Sequence, residues 1–97
     1  MVIGVCKVVL HLPENHSLKG KRQVVQSIIH RVRHQFNVAI AEVDDNDRWQ
    51  TASLGISCVS NNAQHADEML QRVVDFIERS RMEANIADWH MEIIPAF

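Results

Sequence analysis

The sequence predicts a ferredoxin-like α/β sandwich, built as strand, helix, strand, strand, helix, strand within 97 residues. Three observations lead there. Apolar residues alternate along the strand segments and recur at helical spacing along the two segments between them. The connections are short and carry turn residues. The hydrophobic fraction of 46% and charged fraction of 23% are those of an ordinary globule, which excludes disorder, collagen and a disulfide scaffold. A chain of this length has room for one core, so residues 1–97 are expected to form one domain. Right-handed crossovers then put the first and third strands at the centre of a four-stranded antiparallel sheet in the order 4-1-3-2, with both helices on one face.

Each element has its own warrant. Val2 to Leu12 is extended and rich in valine, and Pro13-Glu14-Asn15 ends it, giving a strand and a turn. Ser17 offers an N-cap for a helix that runs to about Gln35. On it Leu18, Val25, Ile28, Ile29, Val32 and Phe36 fall within roughly 100 degrees of one another, a stripe fit for a core. Phe36-Asn37 closes the helix, Asn37 being suited to the left-handed position after it. Val38 to Asp44 and Gln50 to Ser60 read as strands joined through Asp45-Asn46-Asp47 into a hairpin. In the later strand Ala52, Leu54, Ile56 and Cys58 alternate with Thr51, Ser53, Gly55 and Ser57, one face buried and one polar. Asn61 or Asn62 caps a second helix, which has Asp67 and Glu68 near its positive end and an apolar stripe of Ala66, Met69, Leu70, Val73 and Ile77. Ile86 to Ile94 is the last strand.

The sheet face away from the helices should be polar, since it meets water. The first strand departs from this. Val2, Cys6, Val8, Leu10 and Leu12 form its core side, yet the opposite side carries Ile3, Val5 and Val9 around Lys7 and His11. The second strand is equally two-sided, with Val38 and Ile40 against Ala39, Ala41 and Val43. Ile3, Val5, Val9 and Trp49 are therefore interface candidates, and a homo-oligomer or partner contact is expected on the open face. The competing reading is that scattered valines on a sheet are normal.

The formal net charge of -2 hides a polarised chain. Residues 1–36 carry six cations and one acid, a net of +5, whereas residues 37–97 carry four cations and eleven acids, a net of -7. Such asymmetry points to an anionic partner. Lys19, Lys21 and Arg22 crowd the first turns of the first helix, where the macrodipole is already positive and cations are least comfortable. Lys19, Arg22, Gln26, His30 and Arg33 lie along one flank of that helix, a track suited to a phosphate backbone. The anion or RNA candidates are thus Lys19, Lys21, Arg22, Gln26, His30 and Arg33. Against this stands a solubilising face in which Lys21 runs beside the core.

Catalytic chemistry has little footing. Walker, GxGxxG, GxSxG and HExxH motifs are absent, and His30 with His34 has metal-pair spacing but no third ligand nearby. Neither a cofactor nor a metal is expected. The aromatic-rich segment by which an RNA-recognition sheet stacks bases is missing too, so RNA contact should run through phosphates. Cys6 and Cys58 sit in apolar strand patterns and read as buried thiols of a reduced compartment. With no spanning-length apolar run and no secretion signal, the expected location is the cytoplasm, without a membrane partner. The leading expectation is a non-enzymatic binding protein for RNA or the ribosome. The alternatives are a small phosphate-ligand enzyme or sensor at the first helix N-terminus, and a purely structural homo-oligomer.

Ser17-Leu18-Lys19-Gly20-Lys21-Arg22, Phe36-Asn37-Val38-Ala39-Ile40-Ala41-Glu42-Val43, Trp49-Gln50 and Leu54-Gly55 together, in this order and spacing, resemble the YlxP-like family of uncharacterised small bacterial proteins. The similarity runs over nearly the whole chain. It implies a ferredoxin-like fold and no established catalytic activity, and the placing of family genes near those for translation initiation and ribosome maturation implies a ribosome-associated role. It carries no assigned function for any residue.

Overall fold

The computed structural model describes residues 1–80 and 83–97. Arg81, one of the cations of the second half, lies outside them. The elements are β1 (Val2–His11), α1 (Leu18–Gln35), β2 (Ala39–Asp44), β3 (Thr51–Ser60), α2 (Ala63–Ser80) and β4 (Asn85–Pro95). The strands form one antiparallel sheet in the order β2-β3-β1-β4, the expected arrangement read from its other edge. This is the α+β, ferredoxin-like architecture that the element order predicts.

A single buried cluster joins sheet and helices. Cys6, Val8 and Leu10 of β1 and Leu54 and Ile56 of β3 meet Val25, Ile29 and Val32 of α1 and Leu70, Val73 and Ile77 of α2. Phe36, just past α1, packs edge-on against Phe76 of α2 with ring centroids 5.5 Å apart, which ties the helix ends together. Asn62 is the second N-cap, its Oδ1 accepting from the amide of His65 at 3.2 Å.

The end of α1 differs from expectation. Phe36 is extended (φ -132°, ψ 147°) with its amide bonded to Val32 O. The described non-glycine residues with positive φ are Asp45 and Glu83, so Asn37 does not take the left-handed position. The aromatic anchor at Phe36 supplies the reason, since it pulls the chain straight from helix into β2. Asp45, with φ 59°, makes the left-handed turn in the β2–β3 connection instead.

The ambiguity of β2 resolves by register. Ile40 is buried and Ala39 and Ala41 face the other way. Pairing with β3 then slips between Glu42 and Asp44, a bulge that turns Val43 and Asp44 both toward the open face. Gly55 makes room for it, because a Cβ there would stand 2.7 Å from Val43 Cγ1.

Cys6 and Cys58 are free and buried. Burial pushes the Cys6 thiol up to about 11 and also raises that of Cys58, where a backbone hydrogen bond at Gly4 works in the opposite direction. Both thiols are expected to resist a disulfide-exchange reagent at mildly alkaline pH in the native protein and to react at once in denaturant, which a colorimetric thiol count measures. Among the described residues no helix is long and apolar enough to cross a membrane.

Candidate functional site

Helix α1 contains no acid in its 18 residues. Lys19, Arg22, Gln26 and His30 are exposed along one flank, and Arg31 is exposed elsewhere on the helix. Among the described residues no carboxylate forms an ion pair with Lys19, Arg22 or Arg31. Arg33 behaves differently. Its Nη2 donates to Ile40 O at 3.0 Å, covering a carbonyl on the free edge of β2.

Lys21 does not belong with these surface cations. Its side chain is fully buried, and Nζ lies 2.9 Å from Glu42 Oε2, whose side chain is only 14% exposed. The ammonium donates to Asp45 O at 2.7 Å and Thr51 O at 3.3 Å. Among the described residues no donor meets Glu42 Oε2 with hydrogen-bond geometry, so the two side chains share an ion contact while the directed bonds go to the hairpin backbone. Lys21 therefore fastens the start of α1 to both ends of the β2–β3 connection, and its full burial withholds it from a ligand at the surface. Glu42 carries a usable signal in the sequence: it alternates with Ile40, so it faces the core side, where a carboxylate requires a cation.

Two further residues, Asn15 and Gln50, hold the neighbouring loops. Gln50 Nε2 donates to Pro13 O at 3.3 Å and Asn15 O at 3.2 Å, and Gln50 O accepts from Leu12 N at 2.9 Å. Asn15 Nδ2 donates to Ser17 O at 2.8 Å and to Trp49 O. Ser17 Oγ accepts from Gly20 N at 3.0 Å, capping α1. Trp49 is thereby fixed at the end of the sheet, outside the groove on the open face, with its side chain half exposed. An adjoining groove of about 620 Å³ has Glu14, Glu78 and Glu83 among its described lining residues and no described cation, the wrong sign for a phosphate ligand.

The open sheet face holds a shallow groove of about 840 Å³, lined by Val5, Lys7, Ala39, Ala41, Val43 and Gly55 among others. Ile3, Val5 and Val9 on this face are half-buried. Lys7 reaches across Gly55 to Asp44, Nζ to Oδ2 2.7 Å. The hydrogen bond to Asp44 and the charge behind it hold the Lys7 ammonium above the ordinary lysine range. His90 Nε2 lies 3.0 Å from Asp88 Oδ2 on β4. No cluster of three or more His, Cys, Asp or Glu able to hold a metal occurs among the described residues.

Residues 3–91 match the family described as "Protein of unknown function (DUF503)". The chain is 45% identical over 62 residues, 64% of its own length and 67% of the relative's, to the "Uncharacterized protein YlxP" of Bacillus subtilis (strain 168). The resemblance carried by the Ser17–Arg22 and Phe36–Val43 blocks is borne out.

Proposed function

The chain belongs to the family of proteins of unknown function DUF503, and for this member we propose a non-enzymatic binding protein whose helix α1 contacts RNA or a ribosomal surface while the open sheet face mediates self-association. The observation that carries the first half is the acid-free helix with Lys19, Arg22 and Arg31 all exposed and unpaired among the described residues. Cations left without carboxylates at a helix start, where the dipole opposes them, gain most when a polyanion arrives and its counterions are released. The net charge of -2 confines that attraction to the α1 side and leaves the rest of the surface indifferent or repulsive.

The test is co-sedimentation with ribosomal subunits and with single-stranded RNA across a salt series. Affinity falls steeply with salt, and Lys19→Ala with Arg22→Ala reduces the slope of log affinity against log salt by roughly 1.5 to 2, about one unit or slightly less for each phosphate that is no longer neutralised. Lys21 is left intact, since its role is internal. Binding that ignores salt, or no binding to any RNA or ribosomal fraction, refutes the RNA reading.

A further inference from the structure

The open face has an internal order beyond being apolar. Register places Glu92, Val5, Ser57 and Ala39 in one row across β4, β1, β3 and β2, and His90, Lys7, Gly55 and Ala41 in the next. Both rows read large, large, small, small. The β4–β1 half stands tall and the β3–β2 half is low, which is why the groove lies over Ala39, Ala41 and Gly55. Its two margins also differ in charge, with Glu92 lining it from β4 and Arg33 from the β2 side.

We propose that a second copy of this chain covers the face, related by a two-fold axis parallel to the strands and running between β1 and β3. This rests on the self-association reading above and gives it a geometry. Such an axis turns each row end for end over itself. Val5 then sits above Ser57 of the other copy and His90 above its Ala41, so tall meets low in these two rows, with the sheets at the usual spacing of roughly 10 Å. Glu92 comes to lie above Ala39 of the other copy, beside that copy's Arg33, and the symmetry forms this ion pair twice. An axis perpendicular to the strands stacks β2 on β2 and β4 on β4, putting tall on tall and low on low and bringing the two acidic margins together. Lateral pairing through β2 is obstructed, because Arg33 already occupies the Ile40 carbonyl. An RNA on this face has no net attraction, since Lys7 is paired with Asp44 and Arg33 is offset by Glu92.

Sedimentation equilibrium on the full chain tests this in two stages. The wild type sediments at twice the chain mass, and Val5→Glu, or Ser57→Glu should the first fail to fold, sediments as a monomer. Arg33→Glu and Glu92→Arg each weaken association by about tenfold or more, because each homodimer then holds two like-charge contacts. Mixed in equal amounts, the two variants recover association to within about threefold of wild type, since the mixed dimer carries two opposite-charge contacts. A wild type that stays monomeric, or a dimer indifferent to Val5→Glu and Ser57→Glu, overturns the open-face reading itself. A dimer broken by these substitutions but not recovered in the mixture overturns the axis alone.

Discussion

Lys21→Ala lowers the free energy of unfolding by about 3–5 kcal/mol, the cost of leaving one partner of a buried ion pair behind. The size follows from what the ammonium touches. Glu42, 14% exposed, keeps its charge facing the core without a counterion, and the carbonyls of Asp45 and Thr51 lose their donor. With total stability for a domain of this size in the range of about 5–15 kcal/mol, a loss of that order brings the chain close to unfolding at ordinary temperature. A double variant, Lys21→Met with Glu42→Gln, recovers part of the loss because no buried charge remains, although the two carbonyls stay unserved. Urea unfolding of wild type, Lys21→Met, Glu42→Gln and the double variant reads this as a coupling of at least about 1 kcal/mol at unchanged m-value. A single-variant cost below about 1 kcal/mol, as for an exposed lysine, contradicts the internal role.

The same residue marks the boundary between what is legible in the sequence and what is not. At 100 degrees per residue Lys21 falls between Ile28 and Val32, in the middle of the stripe that the structure buries. Its neighbours Lys19 and Arg22 point elsewhere, and grouping all three by adjacency merges an internal clamp with two surface cations. Architecture is legible because it depends on periods and turn residues, which are local, and the strand order follows from handedness alone. The β2 bulge is not, since it exists through the meeting of Val43 with a glycine on another strand. For the same reason Asn15 and Gln50 give no sign of their role: an asparagine before an N-cap reads as a loop residue and Gln50 as the first residue of a strand until the two segments are placed together. The open face lies between these cases. Alternation in β1 reveals Ile3, Val5 and Val9, but the graded rows appear only once long-range register sets β4 and β2 at opposite ends.

Leu70→Ala is expected to cost about 2–5 kcal/mol, and its partner on the sheet predicts how that cost can be reduced. Leu70 is fully buried, and its Cδ1 lies 2.9 Å from where a Cβ at Gly4 would stand. Cys58 Sγ and Ala66 Cβ close the same space at 3.1 and 3.4 Å, so α2 seats on β1 at the one position of that strand without a side chain. Gly4 lacks positive φ, hence alanine there meets no backbone strain and acts through packing alone. In the wild-type background Gly4→Ala pushes against Leu70 and costs about 1–3 kcal/mol. In the Leu70→Ala background the added methyl enters the vacated volume and restores dispersion attraction, while the unfolded-chain entropy that alanine removes, worth about 0.4–1 kcal/mol, is the same in both backgrounds. The double variant is therefore more stable than the sum of the single losses requires, by about 0.5–3 kcal/mol. Urea unfolding of the four proteins measures the difference, and losses that add to within about 0.5 kcal/mol place the contact between α2 and β1 somewhere other than Gly4.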